Sequence, residues 1–172
     1  MAEKCITLIG KYLRRAVKDG NDLEAREGMA LAATFGGLAF ANAGVALVHA
    51  MEYPVGGAVH VSHGAGNGLL LPYVMRFNLQ PRMKEIIIIG SELRVLLPFS
   101  GRFEDNAELA IQAVEKLRAG IGIPTRLRDI GVTEDMLPGF AEKAFAIKRL
   151  MRVNPRMPQS ADEILAIYRA AF

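Results

Sequence analysis

Cysteine occurs once, at Cys5. The chain can therefore form neither an internal disulfide nor a cysteine-rich metal site, and it reads as a protein of a reducing compartment, by default the cytoplasm. An excess of one charge is equally scarce: 21 Lys and Arg stand against 18 Asp and Glu, a net +3, with the basic residues scattered. That excludes the concentrated basic tract of a nucleic-acid binder. Most signatures of common chemistry are missing: there is no P-loop, no Gly-x-Gly-x-x-Gly after a strand, no Gly-x-Ser-x-Gly, no His-Glu-x-x-His and no Cys-x-x-Cys. The N-terminus lacks the charged-then-apolar order of a secretory signal. One uncharged run, Met29 to Met51, is long enough to cross a bilayer, but it is rich in Ala and Gly, holds Asn42 and His49, and is bracketed by Glu27 and Glu52. It reads as a buried helical hairpin or kinked helix, and no membrane partner is expected.

What remains is a chain of 172 residues, 51% hydrophobic and 23% charged, able to bury a substantial core and of a length that fits one domain or a domain plus a short appendage. Its segments read as helices, taken together as one all-helical domain over residues 1–172. Glu3 to Lys18 spaces Ile6, Ile9, Leu13 and Val17 as one face of an amphipathic helix. Asp22 is placed to cap the next helix, which becomes apolar on all sides and so belongs mid-bundle, with Ala30, Ala33, Gly36, Gly37 and Ala41 letting backbones approach. Pro54 is expected to end the following helix, Gly56-Gly57 to turn, and Ala58 to Ser62 to form a loop. A glycine-rich helix start, Gly64 to Gly68, follows His63 and suits close packing better than phosphate, since no strand precedes it. Its helix is expected to kink at Pro72. Ile86 to Ile89 has strand propensity, yet with no strand nearby to pair it reads as helix. Three or four more helices follow from about residue 103. Asp105 with Glu108 and Ser160 with Glu163 have capping-box spacing, Gly120 and Gly131 suit helix stops, and Ala161 to Ala171 is the last helix.

All three histidines, His49, His60 and His63, fall within fifteen residues. Neutral imidazole is the commonest ligand of divalent first-row metals. A reversal at Pro54 to Gly57 would bring His63 back to His49. Two imidazoles fall short of a full ligand set, so the remainder must come from His60, from a carboxylate such as Glu52, or from outside this chain. A core or solvated role for each histidine stands beside that reading.

Leu47-Val48-His49-Ala50-Met51, then Pro54-x-Gly56-Gly57, His63-Gly64-x-x-Asn67 and Leu70-Leu71-Pro72-x-Val74-Met75-x-Phe77-Asn78, resemble the second metal-binding signature of the iron-containing, group III alcohol dehydrogenases. Upstream, Asp22 to Arg26 and Ala39 to Gly44 look like the helix before that signature. Downstream, Gly122-Ile123-Pro124, Asp129-x-Gly131-Val132 and Asn154-Pro155-Arg156 look like the family's C-terminal end. The likeness is weakest between about Pro81 and Phe103.

The resemblance implies the C-terminal, all-α helical bundle of a metal-dependent, NAD(P)-linked enzyme that interconverts alcohols and aldehydes or ketones, inactive as this chain alone. It implies a divalent metal, Fe2+ or Zn2+, with His49 and His63 matching two of the family's four ligands. The family's Asp-x-x-x-His pair and its NAD(P)-binding N-terminal domain have no counterpart here. It implies a small alcohol or aldehyde substrate and a homo-oligomer. Tyr53 stands where many members carry a further histidine proposed to move protons, on the same helical face as His49, so a proton-relay or substrate-positioning role is implied for it beside plain packing. His60 has no ligand role in the family. Two other readings are a non-catalytic scaffold or oligomerisation module left from such an enzyme, and a local trio of His49, His60 and His63.

Overall fold

The computed structural model describes residues 1–93 and 101–172. In chain order its helices are α1 (Ala2–Lys18), α2 (Leu23–Ala43), α3 (Leu47–Val59), α4 (His63–Phe77), α5 (Leu79–Glu92), α6 (Phe103–Gly120), α7 (Met136–Ala146), α8 (Lys148–Arg152) and α9 (Ala161–Ala171), with a 3-10 turn at Leu127–Ile130. Among the described residues there is no strand, and Ile86 to Ile89 lie within α5. The family likeness is weakest over a stretch that includes residues 94–100, which lie outside the described residues. The chain divides into two compact units, Met1–Gly44 with Arg82–Ile121 and Val45–Pro81 with Gly122–Phe172.

In the first unit α1 and α2 run antiparallel: Tyr12 meets Gly28, while Cys5, earlier in α1, meets Gly36, later in α2. The contact is close because Gly28 has no side chain, and a β-carbon there would stand 2.2 Å from the Tyr12 ring. Tyr12 is the buried residue of α1; Ile6, Ile9 and Leu13 are half-buried, and Val17, expected on the same face, is exposed. Asp22 caps α2 as its position predicts, accepting from the Ala25 N–H at 3.0 Å. The mid-bundle expectation for α2 fails. Only Ala25, Gly28 and Ala32 are buried, one stripe at helical spacing that faces α1, whereas Ala30, Ala33 and Ala41 are exposed, as are Leu31, Leu38 and Phe40. An all-apolar composition permits burial on any side, but it is covered only where another element arrives. No single helix among the described residues is long and apolar enough to cross a membrane.

The second unit builds its core from Leu47, Met51 and Val55 of α3, Leu69 and Leu70 of α4, and the inner faces of α7, α8 and α9. Here Pro54 does not end its helix. α3 continues through it and through Gly56-Gly57 to Val59, because Met51 and Val55 on either side are fully buried and that packing outweighs the local cost of proline. The reversal falls later, at His60, whose left-handed backbone (φ 55°, ψ 29°) closes the helix. α4 runs on through Pro72 to Phe77, and the non-helical dihedrals fall at Arg82 in α5 (φ −134°, ψ 25°). Two motif segments far apart in sequence are brought together: Asn154 Nδ2 donates to Asn78 Oδ1 at 2.8 Å, Asn78 Nδ2 returns a bond to Asn154 Oδ1 at 3.2 Å, and Arg156 lies over the Phe77 ring at 4.2 Å.

Caps were legible only in part. α6 starts at Phe103, ahead of Asp105, so Asp105 sits inside its first turn rather than at the cap. Ser160 does occupy the cap of α9 but makes no side-chain cap bond; Glu163 reaches back instead to the Gln159 N–H at 2.7 Å. Gly120 ends α6, and Gly131 stops the 3-10 turn with φ 89°.

Candidate metal centre

His49 lies in the first turn of α3 and His63 is the first residue of α4. The three-residue reversal from His60 to Ser62 sets the two helix starts so that the rings converge, with centroids 5.1 Å apart and His49 Nδ1 3.2 Å from His63 Nε2. His60 is consumed by the turn itself, and its backbone N–H bonds the Gly56 carbonyl at 3.0 Å. Among the described residues no group of three or more His, Cys, Asp or Glu is arranged to hold a metal, which removes the local histidine trio.

Glu52 was legible only as a spare carboxylate. Its side chain is 3% exposed, while that of His63 is 54% exposed, and its Oε2 accepts from His63 Nδ1–H. With Glu52 Oε2 as the acceptor, the ring proton sits on Nδ1 and the Nε2 edge faces His49. The slot for the carboxylate is cut by two glycines. A β-carbon at Gly56 would come within 2.5 Å of Glu52 Oε1, and one at Gly66 within 2.8 Å of Glu52 Cγ. Gly56, expected in a turn, and Gly66, of the segment expected to pack closely beside the histidine, thus make room for one side chain, whereas Gly68 faces Ile123 and Gly64 faces open space.

Burial first, and then the neighbouring His63, holds the His49 imidazole below its usual pKa, with Glu52 pulling the other way. A neutral ring is the form that ligates. Tyr53, four residues after His49, stacks on His63 at 5.8 Å with planes 17° apart and is 41% exposed, so its ring borders the pair rather than entering the core. Asn67, one turn into α4, donates to the His63 carbonyl at 2.9 Å, and its Oδ1 is buried without a hydrogen-bond partner. On the far side of α3, Tyr168 of α9 donates to the Met51 carbonyl.

The donor set fits a divalent ion in part. Two nitrogens that ligate one ion at about 2.1 Å stand roughly 3.0–3.4 Å apart for angles between square and tetrahedral, and the pair here is at 3.2 Å. Two imidazoles are also fewer than the three protein ligands usual at a catalytic ion.

Over residues 1–172 the chain matches the family described as "Fe-containing alcohol dehydrogenase family, C-terminal". It is 40% identical over 172 residues to long-chain-alcohol dehydrogenase 1 of Geobacillus thermodenitrificans, a match that takes in all of this chain and 43% of that protein. It is 35% identical over 165 residues to the NAD-dependent methanol dehydrogenase of Bacillus methanolicus, covering 94% of this chain and 42% of the relative. A crystal structure of 1,3-propanediol oxidoreductase superposes with a TM-score of 0.92 at 40% identity, over 99% of this chain and 44% of that one. The chain thus spans less than half the length of these relatives.

Proposed function

The chain belongs to the Fe-containing alcohol dehydrogenase family, and from that premise we propose that it is the metal-holding helical part of an NAD(P)-linked enzyme that interconverts small alcohols and aldehydes or ketones. The observation that carries this reading is the convergence of His49 Nδ1 and His63 Nε2 to 3.2 Å from the starts of two different helices. His49 and His63 would hold a divalent ion, Fe2+ or Zn2+, with further ligands and the nicotinamide supplied from outside these residues. Such an ion supplies Lewis-acid polarisation of the substrate oxygen. The chain's own residues do the rest of the local work. The half-buried His49 keeps its lone pair available, and α3 and α4 hold the two rings at a fixed separation. Tyr53, stacked on His63 and open to solvent on its outer side, positions the substrate or passes a proton through its phenol.

Exposed Leu31, Leu38 and Phe40 on α2 support association into a homo-oligomer, and the single cysteine supports a cytoplasmic setting.

Cobalt(II), a spectroscopic stand-in for iron or zinc, provides the test. The 172-residue chain should bind one Co2+ by isothermal titration, and His49→Ala and His63→Ala should each abolish binding while circular dichroism stays helical. Binding unaffected by both substitutions overturns the metal centre and favours the scaffold reading. Joined to a nucleotide-binding domain of the family, the chain should reduce NAD(P) with small alcohols; a folded, metal-loaded joined protein that does not turn over would overturn the enzymatic reading.

A further inference from the structure

Burying a carboxylate is costly unless the group is paired, and Glu52 is buried deeper than either histidine of the centre. It is placed with care. Helices α3 and α4 each contribute a glycine, Gly56 and Gly66, at the two points where a β-carbon would collide with it. Its Oε2 meets His63 at Nδ1, whereas the nitrogen that faces His49 is Nε2. These two nitrogens lie on diverging edges of an imidazole ring. Glu52 therefore stands behind His63 and is not aimed at the point the two histidines share.

We infer that Glu52 is a positioning residue of the centre: it fixes His63 as the Nδ1–H tautomer and fixes the ring's orientation, so that Nε2 is presented as the ligating nitrogen. The inference rests on the metal-centre reading for its purpose but not for its geometry, in which Glu52, seated between the two glycines, meets His63 Nδ1 and the Asn67 amide nitrogen lies 3.2 Å from Nε2 and 3.3 Å from Nδ1. A carboxylate behind a ligating histidine raises the basicity of the ring and removes the cost of choosing its tautomer and rotamer at the moment of binding. Without it, an exposed imidazole favours the proton on Nε2, the wrong nitrogen for this site. The His63 side chain is half exposed, and Tyr53 stacks on its face without reaching the Nδ1 edge that Glu52 holds.

The test separates tautomer from metal. In the metal-free, 15N-histidine-labelled chain at mildly alkaline pH, long-range 1H–15N correlation should show His63 with Nδ1 protonated and Nε2 bare. Glu52→Ala should move His63 toward the Nε2–H form and weaken Co2+ binding roughly 10–100-fold. Glu52→Gln, whose amide oxygen can still accept the Nδ1 proton, should fall between. Gly66→Ala keeps the carboxylate but displaces it and should shift the tautomer in the same direction as Glu52→Ala, which keeps the inference testable should Glu52→Ala lose its helical signal. A wild-type His63 protonated on Nε2, or a tautomer unchanged in Glu52→Ala and Gly66→Ala, overturns the role of Glu52. The opposite failure is distinct: a wild-type chain with the expected tautomer and no Co2+ binding strikes the metal reading and leaves the tautomer assignment standing.

Discussion

Tyr168 donates its phenolic hydrogen to the backbone carbonyl of Met51 at 2.5 Å, a bond that joins residues 117 apart in sequence and lies fully buried. Met51 is two residues from His49 and two from Tyr53, so this bond ties the histidine-bearing helix to the last helix of the unit. Tyr168→Phe keeps the ring that packs on Phe140 but deletes the donor. It should destabilise the chain by about 1 kcal/mol in urea unfolding. An unchanged midpoint would mean the bond does not hold α3.

The same tyrosine sets an alkaline limit. Burial, and secondly the charge of Glu52, raises its pKa well above the usual phenol range. A raised folded pKa favours the neutral form, so its contribution to stability is complete below the unfolded tyrosine pKa of about 10 and is lost as pH rises beyond it. Unfolding free energy should therefore fall above that pH, and the fall should be shallower in Tyr168→Phe. Ultraviolet difference titration alongside urea melts would read both.

Two glycines of α2 should respond to alanine with opposite signs. At Gly28 the new β-carbon would meet the buried Tyr12 ring at 2.2 Å, and overpacking of this kind costs about 1–3 kcal/mol. At Gly37 nothing lies within 4 Å, so alanine should stabilise the helix by about 0.5–1 kcal/mol. Thermal melts of the two variants that moved in the same direction would contradict the packing of α1 on α2.

Acid should loosen the α1–α2 corner. Arg15 first, and then the Ala25 N–H, holds the Asp22 carboxyl below its usual pKa, and Arg15 with Tyr12 does the same for Glu24. A depressed folded pKa gives stability that is present above the unfolded value and lost as pH falls through the folded one. Asp22→Asn retains a capping side chain without the charge, so its unfolding should depend less on pH on the acid side than that of the parent. Parallel acid titrations followed by circular dichroism measure this.

Tyr53→Phe separates chemistry from packing. The ring remains to stack on His63, so Co2+ binding and helicity should be unchanged. Turnover of the joined enzyme should drop about a hundredfold with an altered pH profile if the phenol moves a proton. Unaltered turnover would leave Tyr53 with packing alone.

Much of the helical layout was readable locally. Period 3.6 in α1, the cap at Asp22 and the start of α9 after Ser160 depend on neighbours within a turn or two. Because spacing alone left His60 and Glu52 as open alternatives, the choice of His49 and His63 came through the likeness to a metal-binding signature. The position of the reversal between them was not readable, because proline and two glycines spell a turn in any local scale, while burial of Met51 and Val55 keeps the helix intact.

The chain's periodicity thus determined that it would be helical, and the resemblance of its histidine segment to a known signature singled out His49 and His63. Tertiary structure alone decided which faces are covered and which edge of His63 faces Glu52 and which faces His49. α2 is apolar around its circumference, yet only the stripe through Ala25, Gly28 and Ala32 is buried, because burial requires a neighbour that the helix's own residues do not specify. Glu52 could have pointed to solvent from its own sequence. It turns inward because glycines on two helices leave a slot of its size beside an imidazole N–H, an arrangement that exists only once those helices are packed.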